Sequence, residues 1–147
     1  MLITKWGKAL DKNHPLCEYP RPQFVRDSYI SLNGMWKCAF YNKPDCEDEK
    51  FRYDICVPFS PEAYLSVHRT LEPGEYLIYK RSFVIPKGFN KGRVFINFGA
   101  VDQIATVFIN GNNVATHKGG YTSFKFEITD YVTDGENEIK VSCLDFS

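Results

Sequence analysis

The chain has 147 residues, with 18 Lys plus Arg balanced by 18 Asp plus Glu, and 16% of its residues are aromatic. The absence of a basic stripe argues against a nucleic-acid partner, and no apolar run reaches the roughly 18–20 residues of a membrane span. A chain of this length fits one domain and can bury roughly 68–70% of its unfolded surface.

The five cysteines, Cys17, Cys38, Cys46, Cys56 and Cys143, are scattered, odd in number and without a CxxC pair. Neither a disulfide framework nor a zinc site is expected from them, and no metal or other cofactor is expected. The first residues, MLITKWGKALDKNHPL, interleave charges and lack the apolar core of a signal peptide, so the expectation is a reduced, cytoplasmic protein.

In chain order, residues 1–31 show little periodicity and are broken by Pro15, Pro20 and Pro22, which predicts an extended lead-in. Leu32-Asn33-Gly34 reads as a tight turn before a strand over 35–41, with Trp36, Cys38 and Phe40 inward. Residues 42–50, with Asp45, Glu47, Asp48 and Glu49, read as a solvated acidic loop. A short strand over 54–57 is stopped by Pro58, and the stretch up to Gly74 reads as irregular with one helical turn. A long strand follows over Tyr76–Ile85 and ends at Pro86-Lys87-Gly88.

The most informative stretch is 92–128: a strand, a loop, a hairpin, a diglycine corner and another strand. Asn110-Gly111 is the hairpin signal, because a type I′ turn needs positive φ at both central residues. Its first arm carries Ile104, Thr106 and Phe108 on one face and Ala105, Val107 and Ile109 on the other, which predicts cover on both sides. Gly119 and Gly120 read as a corner needing positive φ or a close backbone approach. Phe124, Phe126 and Ile128 then alternate with Lys125 and Glu127, the period of a half-buried strand. Thr129-Asp130 reads as an N-cap for a brief helical turn. A last strand over 138–144 places Ile139, Val141 and Cys143 inside and Glu138, Lys140 and Ser142 outside. Seven or eight short strands without a long helix predict an all-β sandwich.

Ordered pieces along the chain carry a specific resemblance. They include EYPRPQ (18–23), LNGxW (32–36), VPF (57–59), YKRSFVIP (79–86), FGAVD (98–102), VFING (107–111), HKGGYTSF (117–124) and GENEIxV (135–141). With these motifs the chain resembles the N-terminal sugar-binding domain of glycoside hydrolase family 2, the β-galactosidase and β-glucuronidase group. The resemblance implies a jelly-roll, galactose-binding-domain-like sandwich at the head of a longer multidomain enzyme. In that family an immunoglobulin-like domain and a TIM barrel follow, and the barrel supplies the two glutamates of a retaining mechanism. No catalytic residue is therefore expected in this chain. The implied partners are a carbohydrate and the remaining domains of the same enzyme, with homo-oligomerisation of the full-length protein an option. The abrupt end after a strand is read as a cut at a domain boundary.

Three side chains are the candidate substrate contacts. Asp145 sits near the place where the family's aspartate reaches from this domain into the barrel's sugar pocket. Asp102 stands at the mouth of the central hairpin, where its ordinary role is to accept backbone N–H groups. His117 precedes the diglycine corner, where packing is the ordinary role, and it lacks neighbours at metal-ligand spacing. Trp6, Tyr64, Tyr76 and Tyr121 fall where a stacking platform for a pyranose ring could form. Two further readings stand beside this one: a free-standing carbohydrate-binding module, and a structural scaffold or oligomerisation domain.

Overall fold

The computed structural model describes residues 4–43 and 50–146. The acidic loop residues Asp45, Glu47, Asp48 and Glu49, together with Cys46, lie outside the described residues. The chain divides into two compact units, Met1–Trp36 with Asp54–Thr70, and Lys37–Tyr53 with Leu71–Ser147.

In the smaller unit a short helix, α1 (Lys5–Ala9), is capped by Thr4, whose hydroxyl accepts from the Gly7 N–H at 3.1 Å. A 3-10 turn at Pro22–Phe24 follows. The lead-in is therefore not extended throughout: one capped turn of helix is too short to leave a periodic signature in the sequence. Strand β1 (Gly34–Tyr41) begins in this unit, and its neighbour in the hydrogen-bonded order, β2 (Tyr53–Val57), has all but Tyr53 here. Trp36 is buried with its indole N–H on the Leu32 carbonyl at 2.8 Å, and Ile55 and Cys56 are buried completely.

The larger unit carries an antiparallel sheet in the order β1, β3 (Tyr76–Ile85), β8 (Gly135–Leu144), β5 (Ile104–Ile109) and β6 (Asn112–Lys118). A two-stranded sheet of β4 (Phe95–Phe98) and β7 (Phe124–Glu127) is the other layer. The described chain has eight strands and is an all-β sandwich. The core side of the larger sheet is read directly from its register, since residues paired across strands share a face. Leu77, Cys143 and Ala105 form one such row, and Val141 with Val107 and Ile139 with Ile109 form the next two; all are buried. Ile96, Val94 and Ile128 are buried beside the smaller sheet.

The hairpin tip has Asn110 at φ 48° and Gly111 at φ 80°, and Ile109 pairs with Asn112 across it. The register shifts between Val107 and Phe108, so Val114 is an extra residue on β6, a bulge that increases local twist. Asn110 also fastens this tip to β8: its Nδ2 donates to the Tyr131 carbonyl at 2.8 Å and to Asn137 Oδ1 at 2.9 Å, and its Oδ1 accepts from Glu138 N–H at 2.8 Å.

Four further expectations change. The outward face of β5 (Ile104, Thr106, Phe108) is half-buried, not covered as its inner face is. The last strand starts at Gly135, three residues early, and Ser142 is buried at 5% exposure because larger neighbours flank it on the outward face. Thr129 is the first residue of the 3-10 turn Thr129–Tyr131 and does not cap it. Its hydroxyl instead accepts from Val94 N–H at 3.0 Å and donates to Glu127 at 2.9 Å, tying the start of β4 to the end of β7 at one end of the small sheet.

Candidate functional site

The candidate residues gather at one end of the larger sheet because the register makes them do so. Ile104 pairs with Leu144 on one side and with Lys118 on the other. Asp102 therefore precedes the start of β5 where Asp145 follows the end of β8 and Gly119-Gly120 follows the end of β6. Backbone hydrogen bonds lock the three segments together: Gln103 N–H donates to the Leu144 carbonyl at 3.1 Å, and Gly119 N–H donates to the Gln103 carbonyl at 2.8 Å. The Asp145 carbonyl accepts from Gly74 N–H at 3.2 Å, which adds the turn before β3 to the same end.

Within this cluster the two glycines do different things. Gly119 has φ 123°, a backbone conformation that side-chain-bearing residues rarely adopt. Gly120 provides space: a Cβ there would lie 2.0 Å from Asp102 Oδ1. Asp102 is exposed and its carboxylate rests against bare backbone. A carboxylate in that setting is available to accept from ligand hydroxyls.

His117 belongs to the interior side. It pairs with the buried Ala105, so its ring is directed toward the small sheet, where it stacks on Phe124 at 4.0 Å between centroids and 19° between planes. Phe98 stacks on Phe124 across the small sheet at 4.8 Å, extending the aromatic column into the sandwich. His117 Nε2 lies 3.5 Å from the Thr122 hydroxyl. The ring thus bridges the two layers beside the cluster formed by Asp102 and Asp145.

Of the aromatics, Tyr121 is 95% exposed at the diglycine corner, Trp6 and Tyr64 are exposed in the smaller unit, and Tyr76 is half-buried on the outward sheet face. Among the described residues no group of three His, Cys, Asp or Glu side chains is placed to hold a metal ion. No described helix is long and apolar enough to cross a membrane. The four described cysteines are free. Burial pushes the Cys143 thiol up to about 12 and also raises that of Cys56. Asn137, noted in the sequence only within the GENEIxV motif, is buried to 2% exposure, and its side chain is fully engaged with Thr133, Gly135 and Asn110.

Two sheets, with Asp102, Asp145 and Gly119-Gly120 brought to one end by their backbone hydrogen bonds, define a β-sandwich module. The chain belongs to the family described as glycosyl hydrolases family 2, sugar binding domain, whose pattern it matches over residues 64–147. It is 43% identical over 107 residues to a Bacteroides fragilis β-glucuronidase, covering 73% of this chain and 15% of that one. With a Streptococcus thermophilus β-galactosidase it shares 32% identity over 154 aligned positions, covering 99% of this chain and 14% of that one. Among solved structures, the Dictyoglomus thermophilum β-D-glucuronidase superposes with a TM-score of 0.62 at 29% identity, over 78% of this chain and 19% of that one. A Ruminococcus gnavus β-glucuronidase shares the fold with a TM-score of 0.68 at 22% identity, over 82% of this chain and 23% of that one. The chain thus spans less than a quarter of the length of each of these relatives.

Proposed function

We propose that this chain is the non-catalytic N-terminal sugar-binding domain of a cytoplasmic, retaining O-glycoside hydrolase of the β-galactosidase or β-glucuronidase type. In this reading it is a jelly roll that forms one wall of the substrate pocket against a TIM barrel. The observation that carries the reading is the disproportion of the match: 73% of this chain corresponds to only 15% of a β-glucuronidase. The convergence of Asp102, Asp145 and the diglycine corner at one sheet end supports a role in that wall. Asp145 and Asp102 would accept hydrogen bonds from sugar hydroxyls, while the acid/base and nucleophile come from the barrel.

Half a pocket binds weakly, since a monosaccharide needs contacts on several sides to offset its lost freedom. Titration of the 147-residue chain with galactose and with glucuronate should therefore give no saturation below about 1 mM. Sequencing past the codon for Ser147 should reveal several hundred further residues with a barrel. A micromolar dissociation constant together with an immediate stop codon would overturn the proposal. That outcome would favour a free-standing carbohydrate-binding module, for which the 95% exposed Tyr121 is the supporting feature.

A further inference from the structure

Trp6, Tyr64, Tyr76 and Tyr121 are the aromatics placed to stack on a pyranose, and the structure tells them apart. Trp6 is exposed, but the Lys5 ammonium lies 4.2 Å from its ring centroid and covers a face. Tyr64 is exposed and meets His68 edge to face at 5.4 Å. Tyr76 is half-buried in β3, with Tyr41 and Leu144 paired on either side. Tyr121 is 95% exposed, and among the described residues no ring, cation or hydrogen bond engages its side chain. We propose that Tyr121 and Asp102 form a subsite for a neutral pyranose, the tyrosine taking its apolar C–H face and the carboxylate one of its hydroxyls. Such a subsite deepens the reading of this sheet end as a sugar-facing wall, on which it rests.

Both members are held where one ring can reach them. Gly119 N–H donates to the Gln103 carbonyl at 2.8 Å just before Tyr121, and the Thr122 hydroxyl just after it lies 3.5 Å from His117 Nε2. His117 is itself stacked on Phe124 at 4.0 Å. The backbone carrying Tyr121 is therefore fastened on both sides, which lowers the ordering cost of binding. Gly120 brings the second member close. Because a Cβ there would lie 2.0 Å from Asp102 Oδ1, the Tyr121 Cα is no more than about 7 Å from that oxygen. The Asp102 carboxylate is exposed and has no hydrogen-bond partner among the described residues. A carboxylate only accepts, which suits the hydroxyl rim of a sugar whose C–H face lies on the tyrosine. The same charge opposes the carboxylate of a uronate, so the class is a neutral hexopyranose.

The test is NMR titration of the 147-residue chain with methyl β-D-galactopyranoside, methyl β-D-glucuronide and sorbitol, whose hydroxyls surround no ring face. For the galactoside a dissociation constant on the order of 10 mM is expected, with shifts centred on residues 102 and 119–122. The glucuronide should bind at least about threefold more weakly, and sorbitol should leave those residues unshifted. Tyr121→Ala should weaken the galactoside about fivefold or more, and Tyr121→Phe, which keeps the ring, less than about twofold. Asp102→Ala should weaken it about tenfold, since bonds to a charged acceptor are the stronger ones. Tyr64→Ala, in the smaller unit, should change nothing. At 95% exposure the Tyr121 side chain supports no packing, so its variants fold. Unchanged affinity in Tyr121→Ala or Asp102→Ala, equal affinity for the glucuronide, or no shift at residues 119–122 by about 100 mM would each overturn the proposal. The pocket-wall reading fails instead on micromolar binding with an immediate stop codon, so the two failures are distinguishable.

Discussion

Asn137 Oδ1 accepts from Asn110 Nδ2 at 2.9 Å, joining the tip of one hairpin to a strand that lies beyond it in sequence by 27 residues. The same oxygen takes the Thr133 N–H at 2.9 Å, while Asn137 Nδ2 donates to the Thr133 and Gly135 carbonyls. A single buried amide therefore ties the turn at Thr133–Gly135 and the hairpin tip to β8.

Asn137→Ala should consequently be costly. It takes the partner from two carbonyls, one backbone N–H and one of the Asn110 bonds, all part-buried, and such groups left unmade cost more than the bonds gained. The expected loss is about 2–3 kcal/mol, or roughly 5–10 °C in melting temperature. Thermal unfolding followed by circular dichroism checks it; a shift under about 2 °C would contradict the network's role.

At the sheet end, Gly120 and Asp102 should behave as a coupled pair. Gly120→Ala forces the Asp102 carboxylate to rotate away, since the added Cβ would fall 2.0 Å from Oδ1. Stability should drop modestly, by about 1 kcal/mol, and a double-mutant cycle with Asp102→Ala should recover most of the loss, leaving the part set by the Asp102 Cβ, 3.1 Å from the added Cβ. On the proposed function, Gly120→Ala in the parent glycosidase should lower kcat/KM toward the Asp102→Ala value.

Gly111 presents the opposite case, with open space but a demanding backbone. Nothing lies within 4 Å of the place a Cβ would take there, while φ is 80°. Gly111→Val should destabilise by about 1 kcal/mol or more through strain alone. An unchanged denaturant midpoint would show that the tip relaxes into another turn.

Alkaline stability should depend on Cys143. Its folded value of about 12 lies above the ordinary 9.0, so the native thiol stays protonated where the unfolded one ionises. The unfolded state then binds fewer protons, and stability falls as pH rises. The contribution is fully present below pH 9.0 and is lost between there and about 12. Cys143→Ala should flatten the alkaline limb of a stability–pH curve, leaving a smaller slope from Cys56, whose thiol is raised in the same direction. A limb of unchanged steepness would refute this.

The strands were legible where local chemistry punctuates them. Tyr76–Ile85 is bounded by Pro73-Gly74 and Pro86, and its observed bounds coincide with the pattern. The start of β8 was not legible, because Glu136 and Asn137 are polar and Asn137 is buried only by virtue of partners 4 and 27 residues away. Residue 142 misled for a related reason: a serine at an outward position is solvated unless its cross-strand partners, here Thr106 and the fully buried Ile78, pack beside it. The site's components were visible as single residues, but their gathering depends on β8 inserting between β3 and β5, a long-range pairing that periodicity does not encode. The stack of His117 on Phe124 likewise exists only once two layers meet.

The placement of β8 also has a mechanical consequence. It is an interior strand, laddered to β3 over ten residue pairs and to β5 over six. A pull applied beyond Leu144 is therefore shared by two ladders loaded in shear, and neither edge strand can peel first. A displacement at Leu144 would pass through its carbonyl to Gln103, and from there to Asp102 and Gly119.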